Sequence, residues 1–196
     1  MDNAIQEIRS CISKLQENFM QHSASYFNES DLQCELYAML LAHFGDACEI
    51  TNIFVWGTHE VRKTRQCITR RLHSELLLPE GRIDLAILDL SHVRFAINSR
   101  GKFGHIQLEE GEHIFIEIKA SRTNRSSISS KSIWQNLILS DIAKLNRYQH
   151  KSFMLCFDFS GLLNDDLVSQ ISATSNPQVE LIYARNDFKD NYFAIP

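Results

Sequence analysis

The sequence predicts an α/β fold with a mixed central sheet and helices on both of its faces. Hydrophobic periodicity changes along the chain in the order helix, helix, strands, helix, strand, helix, strand, which is the order that builds such a sheet. The chain has 196 residues, of which 44% are hydrophobic and 12 are Phe, enough for one sizeable core. We therefore expect a single domain with an N-terminal helical arm over 1–29, a core over 30–160, and a C-terminal helix and strands over 161–196.

Apolar residues at helical spacing predict four helices. They are expected over residues 3–20, 30–44, 131–150 and 162–171. Ser30 and Gln33 resemble a capping box, so Ser30 is expected to be the N-cap of the second helix. That helix is apolar on nearly every side, which predicts that it is well buried.

Short apolar or alternating runs predict the strands of the sheet. They are expected over residues 50–56, 76–78, 82–88, 93–97, 105–108, 114–119, 152–158 and 179–184. Residues 98–102 contain the polar and glycine residues of a turn, so the fourth and fifth of these strands are expected to form a hairpin. Residues 120–131 are rich in Ser and Arg and are expected to be a loop.

Composition excludes several classes of protein. No apolar run approaches the roughly 18 to 20 residues of a membrane helix, and the N-terminus lacks the basic and apolar blocks of a secretion signal. The five cysteines are odd in number, widely spaced and without a C-x-x-C pair, so neither a zinc site nor a disulfide framework is indicated. We expect a cytoplasmic protein that does not contact a membrane.

Positive charge is concentrated in one part of the chain. The net charge of the whole protein is −4, but residues 61–140 hold 13 bases and 8 acids, a net of +5. A positive surface beside an acidic site is the arrangement that a polyanionic substrate requires. The distribution therefore favours a nucleic-acid partner.

Three ionisable residues lie in two runs that otherwise have the composition of buried strands: Asp84, Glu117 and Lys119. Strand alternation places Glu117 and Lys119 on one face, about 7 Å apart, and Asp84 approaches Glu117 if the two strands are neighbours. Two carboxylates so close repel each other unless a divalent cation holds them together. A donor set of oxygen atoms favours Mg²⁺ or Mn²⁺ over zinc, and Lys119 could hold the attacking water or help to deprotonate it, or stabilise charge on phosphoryl oxygens.

Asp84 followed by Glu117-Ile118-Lys119 resembles the signature of the PD-(D/E)XK nucleases, an acid on one strand and acid-x-lysine on the next. The resemblance covers roughly residues 30–160 and implies a restriction-endonuclease-like core that hydrolyses phosphodiester bonds, in DNA rather than RNA. It implies that Asp84, Glu117 and the carbonyl of Ile118 bind Mg²⁺, with Mn²⁺ as a substitute, while Lys119 assists the water. The family often carries a further acid on the helix before the sheet, and Glu35 matches that position as a metal ligand or a water-orienting residue. On so apolar a helix, Glu35 could instead pair with Lys119 or with a buried arginine.

Basic residues supply candidate contacts to nucleic acid. The candidates are Arg62, Lys63, Arg65, Arg70, Arg71, Arg122, Arg125, Lys131 and Lys144. The first five belong to a tract that is either a phosphate-binding segment or a solvated loop that balances the acidic N-terminal third. Arg122, Arg125 and Lys131 belong to the loop that leaves Lys119, and Lys144 faces either the site or solvent.

Two alternatives to an endonuclease stay open. One is a catalytically inactive nuclease-fold protein that acts as a nucleic-acid-binding or scaffold subunit. The other is an α/β domain of unrelated function in which the three charged residues form an internal salt bridge. A two-fold dimer through the first helix is a further expectation. Restriction, repair, mobile-element processing and antiviral defence all use such domains, and the sequence does not choose between them.

Overall fold

A computed structural model describes residues 2–50, 53–55, 67–97, 103–121, 131–159 and 161–186. Its helices are α1 (Asp2–His22), α2 (Glu29–Phe44), α3 (Lys131–Leu145) and α4 (Asp165–Ser172). Its strands are β1 (Ala47–Ile50), β2 (Ile53–Val55), β3 (Cys67–Arg70), β4 (Leu72–Leu78), β5 (Gly81–Ile87), β6 (Val93–Ile97), β7 (Phe103–Leu108), β8 (Ile114–Ser121), β9 (Lys151–Asp158) and β10 (Val179–Arg185). The predicted α/β fold with a mixed sheet is confirmed.

The central sheet has five strands in the order β10-β9-β8-β5-β4. Strands β10, β9 and β8 are parallel to one another, whereas β5 is antiparallel to both β8 and β4. Strand β8, which carries Glu117 and Lys119, is therefore the middle strand of this sheet.

Two smaller sheets complete the strand arrangement. The predicted hairpin is confirmed, since β6 and β7 pair antiparallel, and β2 joins them in parallel. The single strand predicted over 50–56 was wrong, because its two ends belong to β1 and β2, which lie in different sheets. Strand β3, which pairs with β1, lies in the basic tract and was not predicted.

Helices cover both faces of the central sheet, as predicted. Side chains of α1 and α2 pack with Leu85, Ile116 and Phe153 in one core, and side chains of α3 and α4 pack with Phe115 and Met154 in the other. Each fully buried aliphatic or aromatic side chain contributes about 1.5 to 3 kcal/mol, so two cores of this kind account for the stability of the sheet between them. Among the described residues, no helix is both long and apolar enough to span a membrane.

Helix α1 buries its apolar face within its own chain. Its buried residues are Ile8, Cys11, Ile12, Leu15 and Phe19, which all belong to the core shared with α2 and the sheet. The Arg9 guanidinium is also 2.7 Å from a carboxylate oxygen of Glu180 on β10. This apolar face is therefore used internally, and nothing in the structure supports the predicted dimer contact through α1.

Helix α2 begins earlier than predicted. Asn28, not Ser30, is its N-cap: the Asn28 side chain accepts a hydrogen bond from the Asp31 backbone N–H at 3.0 Å, and the Asp31 carboxylate accepts one from the Asn28 N–H at 3.0 Å. This pair forms the capping box in place of Ser30 and Gln33. The consequence is that Glu29 lies in the first helical turn, where a negative side chain is favoured by the helix dipole.

A buried carboxylate joins the carboxyl ends of β8, β9 and β10. Asp158 is fully buried and accepts hydrogen bonds from the Ser121 hydroxyl at 2.6 Å, the Tyr183 hydroxyl at 2.7 Å and the Leu163 backbone N–H at 3.1 Å. Because three elements of the chain donate to one side chain, its loss leaves several buried donors without an acceptor.

We expect Asp158→Ala to lower the free energy of unfolding by about 3 kcal/mol, because two buried donors and the half-buried Tyr183 hydroxyl lose their acceptor. Tyr183→Phe is the matched control: it removes one donor and leaves Asp158 bonded to the others, so it should cost about 1 kcal/mol. Urea unfolding monitored by circular dichroism measures both values. Equal losses in the two variants would show that Asp158 does not organise these strand ends.

Candidate active site

Strand β8 presents different chemistry on its two faces. Ile114, Ile116 and Ile118 belong to the core under α1 and α2, whereas Phe115 belongs to the core under α3 and α4. Glu117 follows the alternation of Phe115 and is only 1% exposed. The predicted alternation along this strand is confirmed, and it places an ionisable carboxyl in an almost dry environment.

Asp84 reaches Glu117 because β5 and β8 stop pairing beside it. The two strands pair from Leu85 to Ile87 on one side and from Ile114 to Ile116 on the other. Leu85 is opposite Ile116, so the next pair of residues in this antiparallel register is Asp84 and Glu117. Instead of a backbone bond, the Asp84 carboxylate accepts a hydrogen bond from the Ile118 N–H at 2.8 Å.

The backbone beside Asp84 is also irregular on its other side. Strand β4 pairs with β5 up to Ser74 and again from Leu76, but Glu75 between them has a φ of 54°. This left-handed conformation is costly for a side chain other than glycine and is common at functional sites. Asp84 is thus flanked by interrupted ladders on both sides, which leaves its side chain available to the site.

Lys119 is held between two helices. Its Nζ lies 3.3 Å from Glu29 Oε1 on α2 and 3.0 Å from Asp141 Oδ2 on α3, and it donates to the Ile118 carbonyl at 3.4 Å. The Glu29 carboxylate also accepts a hydrogen bond from the Ala120 N–H at 3.3 Å. The structure therefore brings Asp84, Glu117 and Lys119 together, as predicted, and adds Glu29 and Asp141.

The structure places Glu35 elsewhere. Its carboxylate accepts a hydrogen bond from the Asn18 side chain on α1 at 2.7 Å. Burial is the main cause that raises the pKa of the Tyr26 phenol, and a hydrogen bond with Glu35 raises it further. Six residues separate Glu35 from Glu29, which is about 9 Å along the helix and a third of a turn away around it. The prediction of Glu35 as a site acid is not supported, and Glu29 is the α2 carboxylate that meets Lys119.

One sequence signal could have identified Glu29. Glu29 and Gln33 are four residues apart, so they lie on the same face of a helix that is otherwise largely apolar. Gln33 donates a hydrogen bond to the Asp84 backbone carbonyl at 2.9 Å, so this face of α2 lies over the site. A polar pair at this spacing on a buried helix indicates a face that meets polar groups.

Lys144 lies in the site and not on the surface. Its Nζ is 2.7 Å from Glu117 Oε1 and 3.2 Å from Asp141 Oδ1, and it donates to the Arg82 carbonyl at 2.7 Å. Its side chain is only 16% exposed. Of the two orientations that the sequence left open, the structure therefore shows the one that faces the site, with three oxygen atoms around the ammonium group. These contacts do not support the predicted role of Lys144 as a contact to nucleic acid.

The remaining predicted contacts to nucleic acid are distributed differently. Arg62, Lys63, Arg65, Arg122 and Arg125 lie outside the described residues, and Lys131 begins α3 without a described side chain.

Two arginines of the basic tract are described. Arg70 is exposed at the end of β3, as a phosphate-binding residue must be. Arg71 donates to the Leu88 carbonyl at 3.3 Å, and its guanidinium carbon is 5.7 Å from the centre of the Phe44 ring. Arg71 therefore joins the start of β4 to Leu88 and to the end of α2, which is a structural role.

Burial dominates the ionisation of the site acids. Burial, with added repulsion from Asp84, raises the pKa of Glu117 to about 8 in spite of the nearby Lys144. Burial also raises the pKa of Asp84, while the Ile118 hydrogen bond and the two lysines oppose it. The nearby lysines therefore do not fully offset the cost of ionising either carboxyl group.

Lys119 shows the opposite balance. Burial lowers the pKa of this lysine, but Glu29, Asp141 and Asp84 together outweigh burial and hold the pKa above its ordinary value. Burial raises the pKa of Glu29, and Lys119 opposes that shift. Lys119 is thus an ammonium group at neutral pH, and it acts as a donor of charge and hydrogen bonds.

The donor atoms fit a hard divalent cation. Among the described residues, no group of three or more His, Cys, Asp and Glu side chains is arranged to hold a metal ion. The carboxylates of Asp84 and Glu117 and the Ile118 carbonyl are oxygen donors of the kind that Mg²⁺ prefers. Two buried oxygens are already paired with lysine ammonium groups: Glu117 Oε1 lies 2.7 Å from Lys144 Nζ, and Asp141 Oδ2 lies 3.0 Å from Lys119 Nζ. With the carboxylates ionised, the four acids and two lysines carry a charge of −2, which one divalent cation would neutralise.

Without divalent cations, we expect the free energy of unfolding to fall as pH rises from about 5 to 8, because of the ionisation of Glu117. Its pKa is about 8 in the folded protein and about 4.3 in an unfolded chain, so the folded state holds more protons between these values and loses that advantage as pH increases. The effect is on the order of 3 kcal/mol.

Urea unfolding in EDTA at several pH values tests this, with Glu117→Gln as the comparison. The difference between the two pH profiles reports Glu117 together with its coupling to Asp84, Lys144 and Asp141, because the histidines contribute equally to both proteins. Burial lowers the pKa of His73, His113 and His150, so their contribution has the opposite sign. Parallel profiles for the two proteins would contradict the expected ionisation of Glu117.

The chain matches no protein-family model, no curated protein and no solved structure. The positions, distances and charges of Asp84, Glu117, Lys119 and their neighbours are therefore the basis on which a function is inferred.

Proposed function

We propose that this protein is a Mg²⁺-dependent nuclease that hydrolyses phosphodiester bonds, with DNA as its substrate. The observation that carries the proposal is the meeting of Asp84 and Glu117 at the point where β5 and β8 separate, with Lys119 beside them. Two buried carboxylates with raised pKa values are unfavourable in a merely structural role. The choice of DNA rests on the resemblance to PD-(D/E)XK nucleases.

On this proposal, the metal ligands are the carboxylates of Asp84 and Glu117 and the carbonyl of Ile118. Bound there, Mg²⁺ supplies positive charge that offsets the negative charge developing on the phosphoryl oxygens. The Ile118 N–H holds the Asp84 carboxylate in place, so that this ligand is oriented before a cation arrives. The burial of Glu117 strengthens each electrostatic interaction that it makes.

Lys119 and Glu29 have separate roles in the proposal. Because neighbouring acids keep Lys119 protonated, it donates a hydrogen bond to the attacking water or to a phosphoryl oxygen and does not accept a proton. Glu29 is more exposed than Lys119, and its raised pKa makes it a better base than an ordinary glutamate. We assign to Glu29 the proton that the attacking water loses.

A second candidate function is a nuclease-fold protein that binds nucleic acid without cleaving it. The contact that favours it is the ion pair between Lys144 and Glu117, which supplies positive charge to Glu117 from within the chain. A plasmid cleavage assay separates the two candidates, because only the first predicts breakage of the phosphodiester backbone that depends on a divalent cation.

We expect the purified protein to cleave plasmid DNA with Mg²⁺ and not with EDTA. Lys119→Ala and Asp84→Asn should each lower the cleavage rate by about 100-fold or more, because each removes a group that acts on the reacting atoms. Gel analysis of supercoiled plasmid gives the rates, and circular dichroism shows that each variant is folded. Cleavage by both folded variants at the rate of the unaltered protein would refute the proposal, and a parallel reaction with RNA decides the substrate.

A pair of substitutions on α2 distinguishes the two helix acids. We expect Glu29→Gln to lower the cleavage rate by about tenfold, because it removes the proposed base and one partner of Lys119. Glu35→Gln makes the same chemical change on the same helix, but Glu35 contacts Asn18, so its rate should stay within about twofold. A larger loss for Glu35→Gln than for Glu29→Gln would reverse this assignment.

A further inference from the structure

The position of Lys144 in the site has a specific chemical consequence. Its ammonium group meets three oxygen acceptors, the carboxylates of Glu117 and Asp141 and the carbonyl of Arg82, at distances between 2.7 and 3.2 Å. The Lys144 side chain passes Gly81, where an added Cβ would lie 3.3 Å from Lys144 Cδ. Gly81 has a φ of +130°, a conformation that glycine adopts more readily than other residues, so the backbone here leaves room for the lysine.

The two lysines of the site share one acidic partner and differ in the other. Both lie beside Asp141, which is 3.0 Å from Lys119 through one oxygen and 3.2 Å from Lys144 through the other. Only Lys144 is paired with Glu117, whereas the second acidic partner of Lys119 is Glu29. Lys144 therefore sits directly against a carboxylate oxygen that the proposed function assigns to a metal ion.

We propose that Lys144 is the built-in counter-ion of Glu117 and that a divalent cation must displace it to bind. The inference rests on the proposed function, since it concerns the same ligand. An ammonium group and a divalent cation repel each other, and they cannot both lie against one buried carboxylate oxygen. When a cation binds Glu117, Lys144 still has the Asp141 carboxylate and the Arg82 carbonyl as partners, so the displaced ammonium group is not left without acceptors.

This arrangement regulates the site through cation concentration. At low concentration Lys144 neutralises Glu117 and keeps the buried carboxylate paired. At higher concentration the cation takes that oxygen, and the threshold is set by how firmly Lys144 is held. Removing the Lys144 charge should therefore make the cation bind more tightly, although the same change removes a favourable ion pair from the protein.

The test is isothermal titration calorimetry of the full chain with Mg²⁺ and with Ca²⁺ at pH 8, where protons compete less for the carboxylates. Lys144→Met keeps the length of the stem and removes the charge, and Lys119→Met is the matched control that removes the same charge without touching Glu117. We expect the Kd for the cation to fall about tenfold in Lys144→Met and to change by less than about threefold in Lys119→Met. Adding Glu117→Gln to Lys144→Met should abolish the gain.

The outcomes distinguish failure of the counter-ion role from failure of the proposed nuclease function. An equal or weaker affinity in a folded Lys144→Met variant overturns the counter-ion role, even if the plasmid assay shows cleavage that depends on Asp84 and Lys119. An equal gain in Lys119→Met and Lys144→Met also overturns it, because general charge would then explain the effect. Absence of cation binding in every variant removes both this inference and the proposed nuclease function. Lys144→Arg, which keeps the charge, should keep the affinity of the unaltered protein if the pairing is electrostatic.

Discussion

The Asp84 carboxylate accepts a hydrogen bond from the Ile118 N–H, 2.8 Å away, at the point where β5 and β8 stop pairing. A sheet normally satisfies such an N–H with a carbonyl of the next strand. Here a side chain takes that role, which lets the two strands separate while the buried donor stays satisfied. The space between the strands is what allows Glu117, Asp84 and the ammonium group of Lys119 to lie within one cluster, and the geometry of the site depends on it.

The charges around this point oppose the stability of the protein. Glu117 is 1% exposed, and its pKa of about 8 means that its ionised form is disfavoured in the folded chain. Two lysines reduce the cost without removing it, because their other contacts are with Asp141, Glu29 and backbone carbonyls. A core built for stability alone would place apolar residues there, as the same sheet does at Phe115 and Met154. The proposed function accounts for this electrostatic cost, because a site that binds a cation needs ionisable carboxyl groups at these positions.

Local patterns in the sequence predicted the fold class, most helices and strands, and the three central residues of the site. An ionised residue within an apolar strand is visible in a window of a few residues, which is why Asp84, Glu117 and Lys119 could be identified. The spacing of Glu29 and Gln33 indicates a polar face of α2, but the contacts that Glu29 and Lys144 make depend on how α2 and α3 dock on the sheet, and no local pattern predicts that docking. The N-cap of α2 was missed for a different reason: Asn28 and Ser30 are both good caps, and their competition is decided by Asp31.

The contacts that close the site join parts of the chain that are distant in sequence. Asp84 and Ile118 are 34 residues apart, and Lys119 and Glu29 are 90 residues apart. Closing such long loops costs entropy before the contacts repay it, so we expect these contacts to form later in folding than the local contacts of the hairpin β6–β7 and of the individual helices. A partly folded chain can then hold much of its secondary structure without an assembled site. On the proposed function, a nascent or partly folded chain would therefore lack the assembled cluster and would not cleave nucleic acid.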